Sequence, residues 1–321
     1  MTQVGTSFVR WRAEDLGLEY RDAFTRVCAM GFDLIRLSTS WREVDEAGHR
    51  HLDWLMAEAE RVEQRVLLTV GMKALGWPEF HLPQARRPGD VGIRRGLLDH
   101  VAATVRRYRG CRQLLAWQIE NEPFNRSGPL GGLVPRSLVR AEAACVRGLD
   151  PTRPIVITTF GHFDAGLDRW SSRWQSTWRR RLRLEIPGER EALAVLQADD
   201  VLGLDVYRAI GWRRDGVEGI AHAVPDQMDS VARWNRIARG QHKRLWITEA
   251  QAEPWEASRA THGDPVSVQP NDVLELYERL SSLSLEAILL WGVEYWLWRE
   301  RHGDPRWSNV ARRILERRLI S

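Results

Sequence analysis

Two glutamates stand out by their surroundings. Glu122 lies in Trp117-Gln118-Ile119-Glu120-Asn121-Glu122-Pro123, and Glu249 lies in Leu245-Trp246-Ile247-Thr248-Glu249-Ala250-Gln251. Each closes a short apolar run. Two carboxyls facing one another are the minimum kit for splitting a glycosidic bond: one protonates the leaving oxygen, the other attacks the anomeric carbon or activates water to do so. A sugar is a poor leaving group, so acid assistance and charge stabilisation must act together. In this scheme the acid needs a raised pKa, supplied by apolar neighbours and the charge of the other carboxyl, which stays ionised. The pair needs no cofactor and no metal.

The elements that would position them follow a βα rhythm, in which runs rich in Val, Ile and Leu alternate with longer amphipathic stretches. Strands are expected near Val4–Val9, Asp33–Leu37, Arg65–Val70, Leu114–Ile119, Pro154–Thr158, Val201–Val206, Arg244–Thr248 and Glu286–Leu290. Helical patterns span Glu19–Met30, Leu52–Gln64, Ile93–Tyr108, Pro135–Leu149, Asp226–Arg239 and Asp272–Ser282, with a last one over 307–318. Eight strands with helices between them predict a single-domain α/β chain, a (β/α)8 TIM barrel over residues 1–321. Catalytic side chains of such a barrel project from the carboxyl ends of its strands, where both glutamates fall.

These residues also carry a family resemblance. The chain resembles clan A of the glycoside hydrolases, the retaining β-glycosidase barrels that include cellulase- and mannanase-like enzymes. The resemblance rests on Asn121-Glu122-Pro123 after the fourth strand and Thr248-Glu249 after the seventh, 127 residues on. It extends to Arg36–Trp41, Gly76-Trp77-Pro78 and Leu204-Asp205-Val206-Tyr207. Glu253-Pro254-Trp255 brings it nearest to bacterial cellulase-like barrels. It implies Glu122 as acid/base and Glu249 as nucleophile. It also implies Asn121 on the sugar 2-hydroxyl, Arg36 holding the nucleophile ionised, Tyr207 hydrogen-bonded to it, and Trp291 as the floor of the −1 subsite. The expected activity is retaining hydrolysis of a β-glycoside through a covalent glycosyl intermediate. A transglycosylase would use the same two glutamates, and a silent barrel binding a glycan or a protein would use the fold without them.

Tryptophan rings stack on the C–H faces of sugars. Of the 16 Trp, Trp77, Trp41, Trp255 and Trp298 are further candidates for this role. Lys73, Glu79 and His81, after the third strand, are candidates for hydroxyl contacts, as are Glu294 and Tyr295 beyond the eighth. Glu120 is expected to turn away from Asn121, and Glu253 to support the site from the loop.

Composition narrows the rest. Lys and Arg total 47 against 43 acids, a net charge of +4, and only Lys73 and Lys243 are lysines. Without a nucleic-acid motif, that balance predicts no nucleic-acid partner; the expected partner is the carbohydrate substrate that the glutamate pair and the resemblance imply. No His-Glu-x-x-His, Gly-x-Ser-x-Gly or P-loop pattern occurs. Cys28, Cys111 and Cys145 read as reduced, buried thiols. No apolar run reaches the ~20 residues of a membrane span. The first residues lack a secretory pattern, so a cytoplasmic location is expected. Nothing sets an oligomeric state. One insertion, about 160–200, breaks the rhythm. There Trp170, Trp174, Trp178, Leu182 and Ile186, spaced by four and flanked by arginines, predict an amphipathic helix. Its expected place is over or beside the mouth, with peripheral membrane contact through 170–186 as the lesser alternative.

Overall fold

The computed structural model describes residues 2–84, 86–160, 188–257 and 263–318. The predicted Trp/Arg helix lies outside them. Ten strands are present among the described residues: β1 (Gln3–Ser7), β2 (Leu34–Ser38), β3 (Val66–Val70), β4 (Leu114–Ile119), β5 (Ile155–Phe160), β6 (Val201–Val206), β7 (Ala209–Arg214), β8 (Val217–His222), β9 (Arg244–Gln251) and β10 (Ala287–Trp291). Eight of them close a barrel in the order β1-β10-β9-β6-β5-β4-β3-β2, every neighbouring pair parallel. The chain is thus a (β/α)8 TIM barrel.

The helices are α1 (Arg10–Asp15), α2 (Tyr20–Ala29), α3 (Trp41–Ala47), α4 (Arg50–Arg61), α5 (Ile93–Tyr108), α6 (Arg136–Leu149), α7 (Gly188–Leu193), α8 (Gln227–Gly240), α9 (Pro270–Ser281), α10 (Val293–Arg301) and α11 (Arg306–Arg318). Their apolar spacing sets which face is buried. Ile93, Leu97, Val101, Val105 and Tyr108 make the stripe of α5. On α6 the stripe is Leu138, Val139, Glu142, Ala143 and Val146, with a glutamate in its middle.

Alternation along the strands explains what points inward. Leu34, Leu67, Ala116, Val156, Val201, Trp246 and Leu289 form one interior layer. Gly5 occupies the β1 place in this layer, because a Cβ there would lie 2.6 Å from the Leu34 carbonyl. Their neighbours Ile35, Leu68, Trp117, Ile157, Leu202, Ile247 and Ile288 join the core between barrel and helices. Period-two counting upward from the layer then aims Arg36, Gln118 and Asp205 into the barrel.

Two departures from alternation aim the rest. β9 carries a bulge: Leu204 pairs with Ile247, but the next residue, Asp205, pairs with Glu249. The extra residue lets Thr248 and Glu249 both face the mouth, a common use of bulges beside functional sites. After β4, Glu120 and Glu122 both take left-handed backbone, with φ of 58° and 46°. This reverses the alternation, so Asn121 turns in and Glu120 turns out.

Several elements were not expected from sequence. β7 and β8 form a hairpin outside the barrel, closed by Asp215-Gly216 with φ of 51° and 80°. Asp-Gly is the favoured pair for such a turn. A helix was not expected where α10 begins at Val293, directly after β10 ends at Trp291. The three cysteines are free and only half-buried, not buried as expected. No helix among the described residues is long and apolar enough to cross a membrane.

Candidate active site

Arg36 is the centre of the site. Its side chain has no solvent exposure. Nε donates to Gln118 Oε1 at 2.7 Å, one terminal nitrogen to Glu249 Oε1 at 2.7 Å, and the other to Asn121 Oδ1 at 2.7 Å. Three barrel strands are thereby tied to one guanidinium, whose rigid fork suits three separate acceptors. The second oxygen of Glu249 accepts the Tyr207 hydroxyl at 2.6 Å. Glu249 thus has a donor on each oxygen.

Glu122 is treated differently. Its backbone N–H donates to Thr158 Oγ1 at 2.9 Å, fixing the turn to β5. Its carboxyl is buried, in hydrogen-bond contact with Asp205 and close to the charge of Glu249, with Lys73 as the opposing positive charge. Burial first, then the charge of Glu249, push Glu122 up to about 8. Asp205 is fully buried; its Oδ1 accepts the Thr248 hydroxyl at 2.6 Å, and burial with the charge of Glu249 holds it well above the usual carboxylate range. Asp205 had no expected role. The inward parity of Val201, Gly203 and Asp205 along β6 was the signal for it.

Lys73 is not a loop residue reaching for hydroxyls. It is fully buried, and its ammonium donates to the Glu122 carbonyl at 2.8 Å, the Asn125 carbonyl at 3.1 Å and Ser127 Oγ at 2.9 Å. It clamps the turn that carries Glu122. Glu79 is used in the same way, accepting from Ser127 and lying 3.4 Å from the Lys73 ammonium. His81 is buried against Trp11, with Nδ1 3.0 Å from Ser40 Oγ.

Beside the glutamates, Trp291 forms a nearly buried wall. Its indole N–H donates to Glu253 Oε1 at 2.9 Å, and the Arg12 guanidinium lies 5.5 Å from its ring centre. Arg12 pairs with Glu253 and approaches Glu294 at 3.9 Å, while Glu294 accepts the Val9 N–H at 2.5 Å. Burial raises Glu294 to about 7. Arg12 was not foreseen, because it meets Glu253 across 241 residues of chain. Trp255 is 45 % exposed and meets Tyr207 edge-on, and Trp77 is 69 % exposed on the loop after β3.

Three candidates for sugar contact take other places. Trp41 is buried and stacks on His100 of α5. Trp298 and Tyr295 pack on each other within α10, against His302 and Trp307. Among the described residues no group of three or more His, Cys, Asp or Glu is arranged to hold a metal ion.

No protein-family model and no curated protein matches the sequence. Solved structures do resemble the fold. A family 1 β-glucosidase from Thermotoga maritima matches with a TM-score of 0.58 at 11 % identity, over 91 % of this chain and 88 % of its own. A GH10 endoxylanase from a sugarcane soil metagenome matches with a TM-score of 0.54 at 15 % identity, over 91 % and 85 %. A β-galactosidase from the Antarctic haloarchaeon Halorubrum lacusprofundi matches at 0.56 and 13 %, over 90 % of this chain but only 52 % of its own length. The chain therefore carries the (β/α)8 barrel fold that these glycoside hydrolases share.

Proposed function

We propose that the chain is a retaining β-glycoside hydrolase in which Glu249 is the nucleophile and Glu122 the acid/base. The observation that carries this reading is the unlike treatment of two carboxyls at one barrel mouth. Glu249 is hydrogen-bonded by Arg36 and Tyr207, whereas Glu122 faces carboxyls and is pushed up to about 8. Two carboxyls in such unlike surroundings divide acid and nucleophile roles between them. The fold neighbours, named as a β-glucosidase, a β-galactosidase and an endoxylanase, support a β-linked sugar as substrate.

In the first step a Glu249 oxygen bonds to the anomeric carbon as the bond to the leaving oxygen breaks, and Glu122 gives that oxygen its proton. In the second, Glu122 takes a proton from water, the water oxygen bonds to the anomeric carbon, and the bond to Glu249 breaks. Asn121 spends its carbonyl on Arg36, which leaves its amide N–H for the sugar 2-hydroxyl. Trp291 offers a flat apolar face to the ring, with Trp77 and Trp255 at the rim.

Two displacements return the starting anomer. Proton NMR of the first-formed sugar from an aryl β-glycoside is therefore expected to show the β anomer. A first-formed α anomer sinks the nucleophile role of Glu249, and the absence of turnover across a panel of aryl β-glycosides sinks the reading itself. Added acceptor sugars test for transglycosylation by the same pair.

The pH profile follows from the raised acid. Turnover needs the protonated form of Glu122, which persists through neutrality and falls about tenfold per pH unit above its pKa of about 8. With a leaving group that needs no protonation, Glu122→Gln is expected to remove this alkaline limb. A limb that survives unchanged in Glu122→Gln assigns the acid elsewhere.

A further inference from the structure

We propose that Glu120 and Glu142 share a single proton as a buried carboxylate–carboxylic acid pair, and that this pair positions the turn presenting Asn121 and Glu122. The turn's catalytic meaning rests on the glycosidase reading; the proton count does not.

Both side chains are fully buried. Glu142 stands in the core-facing stripe of α6, among Val139, Ala143 and Val146. Among the described residues, neither of its oxygens receives an N–H or O–H from any other group, and Glu120 Oε1 receives none either. The two carboxyls are in hydrogen-bond contact with one another. A proton shared between them serves Glu120 Oε1 and one oxygen of Glu142, both otherwise without a donor among the described residues. Two buried carboxylates in contact cannot both ionise, and an unpaired buried acceptor is costly.

The surroundings decide which member is charged. Glu120 Oε2 accepts the Lys73 backbone N–H at 2.5 Å, and the Met72 N–H donates to the same carboxyl. Gly71 makes the room: its φ is 135°, and a Cβ there would lie 2.4 Å from the Glu120 carboxyl carbon. Successive backbone N–H groups in such a turn form a nest for an anion. Lys73 adds a positive charge nearby. Glu142 has no such donors and faces, besides Glu120, only the half-buried thiol of Cys145. On α5, which packs against α6, His100 is held neutral by burial. Glu120 is therefore the carboxylate and Glu142 the acid. The anchored Glu120 carboxylate pins its own left-handed backbone, and Asn121 and Glu122 follow it directly in the chain.

The test is the pH dependence of unfolding. Glu142 keeps in the fold a proton that an unfolded glutamate releases above about pH 4.3. Its contribution to stability is complete below that pH and declines as pH rises towards its folded pKa. Glu142→Gln donates the same hydrogen bond with no proton to lose. The unfolding constant of the natural protein, relative to Glu142→Gln, is expected to rise about tenfold per pH unit from about pH 5 upward. Glu142→Leu removes the proton and the donor together. It is expected to show the same pH slope as Glu142→Gln but at least about tenfold lower kcat on an aryl β-glycoside, with Gln restoring it. Parallel pH curves for the natural protein and either variant overturn the shared proton. A matched kcat for the Leu and Gln variants overturns the positioning role. An inactive natural protein would count against the glycosidase reading alone, since the slope is read without substrate.

Discussion

Glu249→Ala is expected to lose turnover on the order of 10⁴-fold or more, the scale seen when a member of a catalytic unit is removed. Arg36 and Tyr207 would then face the space that the carboxylate filled. Azide is small enough to enter that space. Attacking a β-glycoside from the face Glu249 used, it is expected to give the α-glycosyl azide in a single displacement. Glu122→Ala is expected to behave in the opposite sense. Substrates with activated leaving groups still glycosylate Glu249, the second step stalls without its base, and azide attacking the intermediate gives the β-glycosyl azide. The two variants differ in the configuration of the product as well as in rate. Product NMR reads this directly, and the same anomer from both variants would contradict the assignment. Activity of Glu249→Ala within tenfold of the natural protein would do the same.

The barrel was legible because its strands are buried on both faces and appear as continuous apolar runs. β4 spans Leu114–Ile119 and β6 spans Val201–Val206, as expected from those runs alone. In the candidate site, the placement of Arg36, Asn121, Glu122 and Glu249 at strand ends was legible. What was not legible depends on backbone irregularity or on distant partners. The β9 bulge is a matter of register between strands, which residue types do not announce. The left-handed Glu120 is held by Gly71 and by two backbone N–H groups from another strand's loop. Lys73 looked like an exposed loop cation because nothing local reveals that its ammonium is met by three acceptors of the β4 loop. Trp41 and Trp298 were candidates for sugar contact by residue type alone, and their helices turn them into packing instead.

Arg36→Met is expected to be the most damaging substitution for stability. Met follows the arginine stem without branching but ends short of the guanidinium, so the charge and all three donor directions vanish. Gln118 Oε1, Asn121 Oδ1 and Glu249 Oε1 lose their donors at once, in a place without solvent. Removing one partner of a buried ion pair costs about 3–5 kcal/mol, because the remaining charge is left uncompensated. An exposed pair would cost about 0–1 kcal/mol. Chemical unfolding near neutral pH separates the two ranges. Arg36→Lys keeps the charge but replaces a planar fork with a single ammonium on a shorter reach, so it is expected to recover part of the stability while leaving Asn121 and Glu249 misaligned. Its kcat should therefore fall further than its stability does, by on the order of 10²-fold. A loss under about 1 kcal/mol for Arg36→Met would mean that Glu249 finds its charge partner elsewhere, and the cluster around Arg36 would then no longer explain why one glutamate attacks while the other donates.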